Sequence, residues 1–191
     1  MAISSQLGSS ALLPAGLGFR NKIINGDMRI NQRATTVTGA STVQYCTDRW
    51  AVYNSVGTVT FQQSTVAPAG YANSLLATVT ATGSYSTSNY TLVGQFIEGS
   101  NIVDLAWGTS SAKPITISFW VRSSVTGTYT VSLQNDGQTR SYVSTYTINS
   151  ANTWEQKFIT VQGEPTGSWA TNNSTGLRVW FALGLGTHWV S

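Results

Sequence analysis

Hydrophobic positions along this chain recur at every second residue rather than every third or fourth, the period of strands with one face on a core. The alternation is cleanest over 115–122, where Ile115, Ile117, Phe119 and Val121 face one way and Thr116, Ser118, Trp120 and Arg122 the other. Residues 74–81 put Leu75, Ala77, Val79 and Ala81 on one face, and 57–66 form a β-branched run bounded by Gly57 and Pro68. Residues 91–97 are more continuously apolar, as a strand covered on both faces would be. After the Thr126-Gly127 turn, Tyr129, Val131 and Leu133 share a face. Asn135-Asp136-Gly137 reads as a hairpin turn, because these residues tolerate positive φ, and leads into a strand over 139–147. Strands over 155–162 and 177–184 follow. No long segment carries a capped helical period; a short helix over 98–106 is the nearest approach. The expected fold is all-β: an antiparallel β-sandwich of jelly-roll type with an extended N-terminal segment.

Residues 1–20 break this pattern. They are rich in Gly, Ser and Ala, and Pro14 interrupts their scattered leucines. Such a segment does not order alone, so it is read as an anchor against a partner subunit. Leu12, Leu13, Phe19, Arg20, Arg29 and Arg33 are its candidate contact residues. The expected division is an anchor over 1–33 and a sandwich domain over 34–191.

Composition sharpens the kind of surface involved. Only 9% of the 191 residues are charged, against roughly 25% in an average domain. The exposed face must then be built from Ser, Thr, Asn and Gln, which suit strands and leave little charge to desolvate on association. Five of the ten basic residues (Arg20, Lys22, Arg29, Arg33, Arg49) precede position 50, but Asp27 and Asp48 interleave them. Local ion pairs are therefore expected there, and no nucleic-acid partner. No stretch approaches the roughly 18 apolar residues of a membrane helix, so no membrane insertion is expected. The start of the chain lacks a charged signal-peptide opening, which implies synthesis and folding in a reducing cytoplasm.

Candidate chemistry is sparse. The one cysteine, Cys46, excludes an internal disulfide and reads as a buried small hydrophobe. The one histidine, His188, stands three residues from the end, and no His/Cys/carboxylate cluster has metal-ligand spacing. Glu98 and Asp104 bracket a short loop and are the nearest thing to an acid pair, yet structural roles suit them better. The expectation is a protein without catalytic residues, metal or cofactor. Seven Trp and eight Tyr point instead to binding. Trp120 and Arg122 share a non-core parity, as do Arg178 and Trp180. If their strands are neighbours, the four make an aromatic–cationic platform on which a sugar ring could stack; otherwise they pack or meet another subunit.

The run Asn21-Lys22-Ile23-Ile24-Asn25-Gly26-Asp27-Met28-Arg29-Ile30-Asn31-Gln32-Arg33, followed by Thr47-Asp48-Arg49-Trp50, resembles the opening of tail-fibre and minor structural proteins of tailed bacteriophages. The resemblance continues through Gln95–Gly99, Ile117–Ser124, Arg140–Tyr142 and Thr153–Glu155, covering about residues 20–185. It implies a carbohydrate-binding-module-like jelly roll on a virion appendage, often trimeric, with a host-surface receptor role. Other virion proteins and a host glycan are the partners it implies, and the virion is the location. Within the block, Asn25, Gly26, Asp27, Asp48, Arg49 and Trp50 read as architecture: a tight turn, its ion pairs and the start of the first core strand. Ile23, Ile24 and Ile30 are expected to tuck the entering chain onto the sandwich. Relatives of this kind usually carry a further strand pair past the equivalent of Gly184, so the expectation is either a shortened chain or a sheet edge completed by a neighbour. A fibre or baseplate component, a glycan-binding module and a capsid decoration protein all remain open at this point.

Overall fold

The computed structural model describes residues 21–33 and 36–189. Alternating segments become strands because each buries one row of apolar side chains: β1 (Thr36–Thr38), β2 (Gln44–Tyr45), β3 (Ala51–Asn54), β4 (Thr58–Ser64), β5 (Ser74–Ala81), β6 (Tyr90–Glu98), β7 (Ile115–Val121), β8 (Gly127–Gln134), β9 (Ser141–Ile148), β10 (Glu155–Val161) and β11 (Thr175–Leu185). One layer is a six-stranded antiparallel sheet ordered β2-β3-β6-β11-β8-β9. Facing it are a three-stranded sheet, β1-β4-β5, and the pair β10-β7. The result is the antiparallel β-sandwich that the two-residue period implies.

Each smaller sheet covers its own core. Under β7 and β10, Ile97, Val131, Leu133, Ile148, Leu177 and Val179 of the large sheet meet Ile159, Val161 and the inward row of β7. Under β4, Val59 and Phe61 meet Val52, Val93, Cys46 and Trp50. Phe61 is fully buried, worth about 2–3 kcal/mol of transfer free energy. Cys46 is buried and unpaired, as expected, and burial pushes its thiol pKa up.

Two side chains, Ile23 and Phe181, pack against both cores. Ile23 belongs to the opening block, which is therefore part of the sandwich, and a boundary at residue 33 would cut through packed structure. Gln95, on the inward face of β6, holds the block there. Its amide accepts from the Ile24 N–H at 2.8 Å and donates to the Ile24 carbonyl at 2.9 Å, giving that peptide what a strand neighbour would supply.

Smaller expectations shift. The short helix over 98–106 is two 3-10 turns, Gly99–Asn101 and Val103–Leu105, too short for a helical face. In the β8–β9 hairpin the positive φ falls on Gln138, while Asn135 is buried as the turn's hydrogen-bonding centre. Ile30 is exposed rather than tucked in.

Glu155 closes the β9–β10 connection. Its carboxylate accepts from Lys157 Nζ, from the backbone N–H of Asn149 and Ser150, and from Asn149 Nδ2. The Lys157 bond and then the Ser150 bond hold its pKa down to about 2. A lowered folded pKa gives stability that is present above the unfolded value and lost as pH falls toward the folded one. Urea midpoints of the wild type should therefore decline between about pH 4.5 and pH 2 more steeply than those of Glu155→Gln; equal slopes would show that the carboxylate does not hold the turn.

Candidate functional site

The structure separates the residues expected to form one platform. Among the described residues β7 pairs only with β10, whereas β11 lies between β6 and β8 in the opposite layer. Trp120 is 37% exposed on the outside of the two-stranded sheet, and Arg122 donates from Nε to the Asn152 carbonyl. Trp180 is only 6% exposed on the outer face of the large sheet. It lies against Gly94 with the rings of Tyr53 and Phe96 edge-on at 5.3 and 5.2 Å. Arg178 sits 5.5 Å above Phe96 and bonds Asp136. Parity within each strand was read correctly, but the strands are not neighbours. Trp180 is a packed ring, with no face open to a sugar.

The opening block behaves as architecture. Asn25, at φ 54°, closes a turn with Met28 and clamps the returning chain: Nδ2 donates to the carbonyls of Ile30 and Asp48, and Oδ1 accepts from the Ile30 N–H. Trp50 Nε1 donates to the Asn25 carbonyl at 2.9 Å. The expected local ion pairs form, Asp27 with Arg29 and Asp48 with Arg33. Arg49 reaches Glu98, and Lys22 reaches Asp104, so the two acids singled out as a pair each serve a structural cation. Hydrogen bonding to Arg49 holds the Glu98 pKa down against the opposing effect of burial. Gly26 is exposed at the turn. Leu12, Leu13, Phe19 and Arg20 lie outside the described residues.

A different cluster gathers at the tip of the β8–β9 hairpin. Asn135, buried, accepts through Oδ1 from the N–H groups of Thr139 and Arg140 and donates through Nδ2 to Thr139 Oγ1 and the Ser168 carbonyl. One side chain thus shapes the turn and ties it to the 162–169 loop. On that loop Trp169 meets Trp107 edge-on, with centroids 4.7 Å apart. Both indoles are fixed from behind, Trp107 Nε1 to the Lys113 carbonyl and Trp169 Nε1 to the Thr166 carbonyl. Gly167, at φ +80°, lets Arg140 lie across it; a Cβ there would stand 2.8 Å from Arg140 Cγ.

These rings floor a groove of about 80 Å³ whose walls include Tyr142, Arg140, Gln162 and Glu164. Such a space holds roughly half a dozen waters, or the edge of one sugar residue. Glu164 Oε1 accepts from the N–H and Oγ1 of Thr166, and these bonds hold its pKa low, so it stays an acceptor. Exposed Arg140 supplies donors beside it. The chemistry available is stacking on half-buried Trp169 and exposed Tyr142, with Trp107 packed beneath them as core, plus paired hydrogen bonds to neighbouring hydroxyls. One carboxylate lines the groove, where glycoside hydrolysis uses two.

Sequence reasoning passed over this site because Trp107, Arg140, Gln162, Glu164 and Trp169 come from loops, where face parity says nothing. A signal was present: Trp107 and Trp169 sit in Gly/Ser/Thr-rich stretches, and a large apolar ring in a loop needs something to pack on. Among the described residues no group of three or more metal-ligating side chains occurs, and no helix is long and apolar enough to cross a membrane.

No protein-family model matches the chain, and no curated protein matches it. Among solved structures it is similar to the enzymatically active domain of tailspike protein 4 of Bacteriophage CBA120, at 12% identity and a TM-score of 0.46. That alignment covers 85% of this chain and 19% of the other, so the chain spans about a fifth of that protein's length. The likeness is too distant to carry an argument about role.

Proposed function

We propose that the chain is a structural component of a tailed-phage virion, of fibre or baseplate type, and that it binds a host-surface saccharide in the Trp107–Trp169 groove rather than acting as an enzyme. The groove is the observation that carries the binding half: fixed indoles, an exposed tyrosine, a guanidinium and a carboxylate held ionised converge on a space the size of a sugar edge. The opening block supports the virion half by its resemblance to phage fibre proteins. Assembly through residues 1–33 follows from reading that segment as an anchor, and a trimer is what the same resemblance implies.

An array of bacterial surface oligosaccharides, followed by titration with the methyl glycosides of any sugars retained, tests the binding half. A single subsite should give a Kd on the order of 1 mM, about −4 kcal/mol, with tighter apparent binding when several copies are displayed. Tyr142→Ala and Arg140→Ala, both at exposed positions, should each weaken binding about tenfold, one hydrogen bond or stack's worth, with thermal stability unchanged. Trp120→Ala should have no effect. An array blank for the displayed wild type, or binding that follows Trp120 and ignores Tyr142 and Arg140, would remove the groove from this role. Copurification of the tagged chain with intact virions tests the other half separately.

A further inference from the structure

An edge strand normally carries something that prevents another chain from pairing with it: a charge, a proline, a bulge or a cover. The outer strand of the three-stranded sheet carries no charge, proline or cover, and its one irregularity against β4 lies at its far end, past Val79. β5 (Ser-Leu-Leu-Ala-Thr-Val-Thr-Ala) pairs with β4 on one side, and among the described residues no strand pairs with the other. Neither β5 nor β4 nor β1 contains a charged residue or a proline. Leu76 and Val79 are exposed on this strand.

Val79 is the telling position. It stands opposite Val59, on the face turned toward the core, and Val59 is buried. Val79 itself is 62% exposed. The core-facing surface of the sheet therefore overhangs the core, and an apolar side chain waits there without a cover.

We infer that β5 pairs antiparallel with β5 of a second copy, across a two-fold axis at Ala77. Antiparallel partners share a face, so residue numbers across such a pairing must sum to an even value. The sum set by Ala77 opposite itself puts Leu75 opposite the partner's Val79, and does so twice. Both overhanging valines are then covered by leucines, and Leu76 meets the partner's Thr78 on the outer face. A second copy fits better than an unrelated strand for two reasons. An uncharged strand meets its own copy without like-charge repulsion, which is destabilising when identical charges stand opposite. A strand without charges also offers nothing to select a complementary charged partner. The two-fold contact closes on itself, so each copy uses its edge once and this contact alone builds no filament. It is distinct from any three-fold arrangement and does not depend on the saccharide reading.

Cysteine scanning of the full chain tests it. Opposed residues of an antiparallel pair lie about 4.5–5.5 Å apart between Cα atoms, within the span a disulfide bridges, and the native Cys46 is buried. Under mild oxidation, Ala77→Cys should give a disulfide-linked dimer at least tenfold faster than Thr78→Cys, whose residue does not meet itself in this register. Sedimentation should show concentration-dependent dimers that Val79→Lys weakens at least tenfold while circular dichroism stays unchanged. Preferential cross-linking of Thr78→Cys, a monomer at every concentration, or self-association indifferent to Val79→Lys would each overturn the pairing.

Discussion

Replacing Gln95 by Leu should lower the stability of the chain by about 3 kcal/mol, although it barely changes side-chain size. The Gln95 side chain is 0% exposed and makes both hydrogen bonds to the Ile24 peptide. Leucine would leave the part-buried N–H and C=O of Ile24 without their partner, at about 1–3 kcal/mol each, offset in part by the apolar burial it adds. In a chain of this length that is a fall in melting temperature of about 6–12 °C. Gln95→Glu should be worse at neutral pH, because an ionised carboxylate would face the Ile24 carbonyl without water. Burial raises the pKa of such a carboxyl, and its protonated form can donate where the amide did. That variant should recover stability on acidification through its raised pKa, whereas Gln95→Leu should not. Equal pH profiles for the two, measured by urea unfolding, would show that Ile24 finds its partners elsewhere.

Gly94→Ala should cost a similar amount by the opposite route. A Cβ on Gly94 would run into the Val179 carbonyl of the adjacent strand and lie 2.5 Å from Trp180 Cε3. Gly94 faces Trp180 across the β6–β11 pairing, near the middle of the large sheet. An exposed side chain could swing away, but a backbone carbonyl in a paired central strand moves only with its strand. Overpacking of this kind costs about 1–3 kcal/mol, and the upper end is expected because the ladder must spread. Shortening the ring in Gly94→Ala/Trp180→Leu should relieve only the smaller part of the clash. A double-mutant cycle by chemical denaturation reads this directly: full rescue would assign the strain to the indole rather than to the ladder.

The strands themselves were legible in the sequence. β7 alternates because one face meets a core and the other does not, and that contrast is written residue by residue. The same rule could not say which strands are neighbours. Trp120 and Trp180 have the parity expected of them, yet their strands sit in opposite layers, since the chain changes layer between β7 and β8, β9 and β10, and β10 and β11. The opening block was legible as structure through Asn25, Asp48 and Trp50. Its hold on Gln95 was not, because a polar residue inside an apolar strand does not announce what it bonds. The groove was illegible for a related reason. Asn135 was visible as a turn residue, but its reach to the Ser168 carbonyl, which brings Trp169 to the hairpin, spans 33 residues and follows from tertiary packing alone.

The strand order also sets a timetable for folding. Among the described residues β11 follows every other strand, yet it occupies the centre of the large sheet, between β6 and β8. Until it is made, β6 and β8 have no common partner and neither core can close, because Phe181 of β11 serves both. At bacterial or slower synthesis rates, the interval between the emergence of β3 and that of β11 is roughly ten seconds. Throughout it the nascent chain holds uncharged, β-prone strands with open edges. Pairings so distant in sequence also form slowly once the last strand arrives. Yield in the producing cell should therefore depend on how crowded the translating ribosomes are and on the chaperones that shield these strands, more than on the stability of the finished sandwich.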